Sequence, residues 1–171
     1  MDSSSPAAHT VRLSGPLAPR ARWRATGCSM ARALDVVRSK SALLILREAF
    51  YGTTRFDDFA QRTGISEPVT AARLAELVED GLLAKQPYRE PGQRTRLAYL
   101  LTDKGAELFP VLVALMEWGD RWLAPDGAPV VLTHRDCGEP VHIELRCAAG
   151  HEASVEELDL TVGPGRQASS A

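Results

Sequence analysis

Little in this chain suits an exported or membrane-spanning protein. Three cysteines in 171 residues are too few, and odd in number, for a disulfide framework. The longest apolar run, residues 109–116, falls far short of the ~20 residues that cross a bilayer. Residues 1–24 are rich in Pro, Ser, Ala and Arg and lack the apolar centre of a secretory signal. A cytoplasmic location without membrane contact is therefore expected. A nucleophile elbow, a glycine-rich phosphate loop and a paired-carboxylate motif are also missing, which argues against an enzyme. The net charge of −2 lacks the positive excess of a nucleic-acid binder. That deficit disappears once the charge is divided along the chain. Residues 20–104 hold 15 Lys/Arg against 10 Asp/Glu, whereas residues 105–171 hold 4 against 11. A basic segment facing phosphates, with an acidic one held away from them, fits this division; so do two solvated faces that merely differ in sign.

What is present is organised around residues 56–101. Gly64 closes one helix, Ser66 is placed to cap the next, and Pro68 falls in its first turn, where a missing N–H costs nothing. The spacing predicts a helix from Glu67 to a stop at Gly81, with Val69, Leu74, Leu77 and Val78 as its apolar stripe. Residues 82–90 and 96–101 read as strands about a turn at Pro91-Gly92-Gln93. Helix, turn, helix and basic-tipped hairpin make the winged helix-turn-helix plan, which lays one helix in the major groove of DNA. Upstream, residues 28–37 and 40–50 are expected as helices, the second with Leu43, Leu44, Leu46 and Phe50 inward. Residues 56–63 form the support helix over Phe56 and Phe59. Downstream, Thr102 should cap a long helix reaching Leu123, with Asp103 in its first turn and a kink at Pro110.

The motifs CSMARALDVV (28–37), SKSALLILRE (39–48), Arg55-Phe56, Gly64-Ile65-Ser66, RLAEL (73–77), Asp80-Gly81-Leu82, Thr102-Asp103-Lys104-Gly105 and Trp118-Gly119 follow in order. Over residues 26–123 the chain resembles the HxlR-type branch of the MarR-like winged-helix bacterial transcriptional regulators. The resemblance implies a mainly α fold with small β elements (α+β), in which a long C-terminal helix and the first helix form a homodimer. Two recognition helices would then meet two half-sites of double-stranded DNA about one turn apart, under control of a small-molecule effector or a redox signal. Two positions depart from the family pattern. Ser39-Lys40-Ser41 stands where Gly-Lys-Trp is usual, and the recognition helix carries Glu67, Pro68 and Ala71 where extra polar or basic residues are usual.

Candidate DNA contacts follow from this plan. Ser39, Lys40 and Ser41 open a helix, where free N–H groups, the dipole and an ammonium favour a phosphate. Ser66, Glu67, Pro68, Thr70, Ala71 and Arg73 are expected on the exposed N-terminal part of the recognition helix. Arg73 suits guanine, Thr70 a base or phosphate, and Ala71 a thymine methyl; alternatively Arg73 pairs with Glu76. The wing offers Arg89, Gln93, Arg94 and Arg96. In the last helix Leu108, Val111, Leu112, Leu115, Met116, Trp118 and Trp122 recur at helical spacing, either as a dimer interface or as cover for the monomer core.

Residues 25–123 therefore read as the DNA-binding and dimerisation domain and 124–129 as a linker. Residues 130–171 read as a small β-rich appendage with a disordered end, its strands expected at 130–132, 141–145 and 155–162. His134, Cys137, Cys147 and His151 have the spacing of two ligand pairs for a tetrahedral structural zinc, which would let so small a segment fold. A metal-free β-hairpin with two surface histidines and two half-buried thiols is the other reading. Cys28 lies at a helix start near Arg24 and Arg32, a setting that favours thiolate; redox sensing follows by analogy with the family, and plain packing is the alternative. Residues 1–24 read as a flexible tail whose Arg12, Arg20, Arg22 and Arg24 can touch phosphates nonspecifically. The function expected is a dimeric, sequence-specific transcriptional regulator. The rival is a winged-helix adaptor that has lost strong DNA binding.

Overall fold

The computed structural model describes residues 9–19, 28–89, 91, 92 and 94–164. In chain order the elements are β1 (Arg12–Leu13), α1 (Ser29–Val37), α2 (Lys40–Phe50), α3 (Phe56–Thr63), α4 (Glu67–Glu79), β2 (Leu83–Tyr88), β3 (Arg96–Leu101), α5 (Asp103–Ala106), α6 (Phe109–Leu123) and β4 (Asp159–Leu160). They fall into two compact units, one of residues 28–143 and the other of 9–19 with 144–164.

The larger unit has the winged helix-turn-helix fold. Gly64 closes α3 in the left-handed conformation (φ 67°), and Pro68 occupies the first turn of α4. Ser66 takes the N-cap position with extended backbone, yet its side chain makes no capping bond. Ser39 does cap α2, accepting from Ala42 N at 3.2 Å, and Thr102 caps α5, accepting from Gly105 N at 3.0 Å. The hairpin pairs antiparallel from Leu83↔Leu101 to Tyr88↔Arg96. A third, single-residue rung joins it where Arg55 bridges Ala98 and Tyr99 N donates to Thr54 O at 2.8 Å. The core gathers Ala42, Ile45 and Leu46 of α2, Phe59 of α3, Leu74 and Leu77 of α4, Leu82 and Leu83 at the hairpin base, and Leu112 of α6. Phe59 meets Tyr99 edge to face, with ring centroids 6.3 Å apart.

Several expectations are corrected here. On α2 the fully buried positions are Ala42, Ile45 and Leu46, while Leu43 and Leu44 are only half-buried beside Leu112, Leu115 and Met116 of α6. Glu48 is buried too; its carboxylate accepts from Arg47 Nη2 at 2.8 Å and from the Thr53 hydroxyl at 3.5 Å, and Thr53 in turn accepts from Arg62. The last helix is not one kinked rod. It breaks between α5 and α6, so Pro110 sits in the first turn of α6, where it disturbs no hydrogen bond.

After α6 the chain does not leave at a linker. Residues 128–142 return along α6, where Glu117 accepts from Ile143 N at 3.2 Å and meets His142 Nδ1 at 3.2 Å. The division falls after Ile143, and among the described residues neither 130–132 nor 141–145 forms a strand; isolated bridges, Thr133↔Pro140 and Arg146↔Glu152, replace them. The smaller unit is pinned by a parallel pairing of β1 with β4. Arg12 donates to both oxygens of Asp159 at 2.5 and 2.7 Å, which holds that carboxyl below its ordinary range. Arg12 is thus a structural ion pair instead of a loose phosphate contact, while Arg20, Arg22 and Arg24 lie outside the described residues. Among the described residues no helix is long and apolar enough to cross a membrane.

Candidate nucleic-acid interface

The phase of α4 decides what it can show to a ligand. Thr70, Leu74 and Leu77, spaced i, i+4, i+7, are its fully buried residues. Thr70 therefore does not reach DNA, contrary to the sequence reading; its hydroxyl points inward and donates to Ile65 O at 3.4 Å. Val69 takes the outward place expected for Thr70 and is 42% exposed. Arg73 is half-buried and its guanidinium bonds to Glu76 at 2.5 Å, so the local ion pair, not an outstretched base contact, is what forms. Ser66, Glu67, Pro68, Ala71, Ala72 and Ala75 are exposed.

Beside α4, Arg94 and Arg89 lie exposed at the hairpin tip, and Gln93 lies outside the described residues. Arg96 lies 3.5 Å from Asp57 in an ion pair between two exposed side chains, which is worth little in water and yields readily to a phosphate. Arg55, which sequence reasoning passed over, lies over the Tyr88 ring at 5.2 Å, adding a guanidinium to the base of the wing. Its signal was the Arg55-Phe56 motif, read only as part of the family resemblance.

Ser39, Lys40 and Ser41 are not brought to the reading end of α4. Arg38 reaches Asp80 at 3.4 Å and Lys104 Nζ donates to Asp80 O at 2.6 Å, so the start of α2 lies by the C-terminal end of α4. A 13-residue helix is about 18 Å long, and that length separates these residues from Glu67. Their hydroxyls are also engaged with each other, Ser39 Oγ to Ser41 Oγ at 2.9 Å.

Cys28 is the half-buried N-cap residue of α1, with a free thiol. His134 Nδ1 lies 3.3 Å from Cys137 Sγ on a tight turn closed by Gly138 (φ 76°). Cys147 N donates to His151 O at 3.0 Å on a similar turn closed by Gly150 (φ 85°) in the other unit. No group of three or more His, Cys, Asp or Glu side chains is gathered for a metal ion among the described residues. On α6, Val111, Leu115, Trp118 and Trp122 are exposed along one stripe, and α1 exposes Met30 and Leu34.

The family model of HxlR-like helix-turn-helix proteins matches residues 36–127. An uncharacterised HTH-type transcriptional regulator of Mycobacterium tuberculosis (strain H37Rv) is 41% identical over 150 residues, which cover 86% of this chain and 94% of the relative. Among solved structures, PA1607, described as a candidate transcription factor, superposes with a TM-score of 0.71 at 39% identity, covering 80% of this chain and 95% of that one. The oxidised form of the redox regulator HypR matches with a TM-score of 0.50 at 26% identity, over 55% of this chain and 96% of its own.

Proposed function

The chain belongs to the HxlR-like helix-turn-helix family and is a transcriptional regulator of the helix-turn-helix type, and we propose that it binds double-stranded DNA sequence-specifically as a homodimer. The observation that carries this reading is the placement of α4: three buried residues lock one face to the core and leave the opposite face open beside a hairpin tipped with arginine. The test is a gel-shift titration of the full chain against its own upstream region at two salt concentrations. A shift that survives competitor DNA and weakens with salt is expected, because each neutralised phosphate releases a counterion.

Within that docking the wing supplies affinity more than specificity. Arg94→Ala with Arg96→Ala should weaken binding to all duplexes alike and flatten the salt dependence by about one to two units of slope. Unchanged affinity and slope would move the wing away from the phosphates.

A redox signal is the version of control with support in the chain itself. Cys28 carries a free thiol at the start of α1, and HypR, a redox regulator, shares the fold. Diamide treatment should alter the gel shift of the parent and leave that of Cys28→Ser unchanged; equal responses would remove Cys28 from the mechanism. The second reading, an adaptor without DNA affinity, draws on α4, whose one arginine, Arg73, is paired with Glu76. Absence of any shift at low salt would favour it.

A further inference from the structure

The exposed face of α4 is a strip of small apolar groups. Pro68, Ala71, Ala72 and Ala75 fall at i, i+3, i+4 and i+7, opposite Thr70, Leu74 and Leu77, and all four are exposed; Val69 borders them. The groups that usually read base edges by hydrogen bonding are spent elsewhere: Arg73 on Glu76, and the Thr70 hydroxyl on Ile65 O. Among the described residues the exposed polar side chains on this side are Ser66 and Glu67 at the start of the helix and Glu79 at its last residue.

We infer that the strip Pro68, Ala71, Ala72 and Ala75 reads the C5 methyl groups of thymine in the major groove, so that thymines specify each half-site. This rests on the DNA-binding reading above and adds what is recognised. Among the major-groove features of the four base pairs, the thymine methyl is the one that an apolar side chain contacts favourably without a hydrogen bond. Side chains no longer than a methyl group also let the helix backbone come close to the base edges, which a face of long residues would prevent. The occupant is DNA and not a protein, because the flanking hairpin is basic, with Arg94 and Arg96 exposed and Arg96 paired with Asp57 only at the surface. It is not RNA either: the major groove of an A-form helix is too deep and narrow for α4, and uracil carries no methyl.

The test uses duplexes that the full-length protein selects from a random pool, resynthesised with deoxyuridine in place of thymidine one position at a time. The expected result is enrichment of thymine in both half-sites and a loss of about fourfold in affinity per contacted methyl, the effect of burying one such group. Losses at separate positions should multiply while the salt slope stays fixed, since no phosphate contact changes. Uracil tolerated at every position, with salt-sensitive binding intact, overturns the methyl reading and leaves the DNA-binding reading standing. No duplex captured at low salt overturns both.

Discussion

Gly105→Ala is expected to destabilise the protein by about 3 kcal/mol and lower its Tm by roughly 10 °C, at the upper end of the cost of overpacking a core. The cause is space. A Cβ at Gly105 would stand 2.2 Å from Leu82 O, 3.1 Å from Leu82 C and 3.2 Å from Leu101 Cδ2. The first two are backbone atoms at the base of the hairpin and cannot swing aside as a side-chain end would. Leu82 O also accepts from Thr102 N at 3.1 Å and from the Thr102 hydroxyl at 3.2 Å, and Gly81 O accepts from the same hydroxyl at 2.6 Å. Relief therefore requires α5 to lift off the loop that ends α4, breaking the bonds that fix the wing against the recognition helix. Thermal melting by circular dichroism and DNA affinity should fall together. Gly119→Ala is the control: nothing lies within 4 Å of its would-be Cβ, and an α6 alanine should be neutral or stabilising by a few tenths to about 1 kcal/mol. Parent-like melting of Gly105→Ala would show that the two segments do not approach this closely.

The helix-turn-helix was legible because its punctuation has a direct backbone cause. Gly64 can adopt a positive φ and Pro68 has a fixed one, so α3 and α4 are bounded by covalent geometry, whatever packs around them. The inward phase of α4 was legible as well but misread. Val69 leads by the same spacing to Arg73 and Glu76, whereas Thr70 leads to Leu74 and Leu77; the side with two leucines wins the core and takes the threonine with it. Burial of Glu48 was not read: Arg47 beside it supplies one partner, but the other, Thr53, lies in a loop and is itself held by Arg62 of another helix, which only the tertiary fold brings there. The same holds for Arg12, whose partner Asp159 is 147 residues away, and for Ser39 to Ser41, whose position depends on how α2 crosses α4. Sequence pattern thus located the candidate interface, while tertiary contacts decided which of its side chains are free to use it.

A chain carrying Leu115→Asp and Trp118→Asp should be monomeric by sedimentation and should bind an operator at least about 100-fold more weakly than the parent. In the single chain Leu115 is 52% exposed, Trp118 57% and Trp122 68%, all on the α6 stripe that begins at Val111. The opposite side of the same helix already packs through Leu112 and Val113, so the stripe is surplus to the core of one protomer. Two tryptophans and neighbouring aliphatic groups are exposed along this stripe, the kind of apolar surface that a partner covers, and α1 exposes Met30 and Leu34 as well. A second copy that covers this surface would set two α4 helices on one duplex. The second half-site is then bound at the high effective concentration of a tethered ligand, and losing that tether also removes about half of the salt slope. Two carboxylates placed in such an interface cannot be buried without a large desolvation penalty, whereas in a lone protomer they would face water. The variant should consequently keep its helical circular dichroism and its melting in the dilute monomer. A variant that stays dimeric would place the interface elsewhere, and a parent that is itself monomeric would overturn the homodimer on which paired half-sites depend.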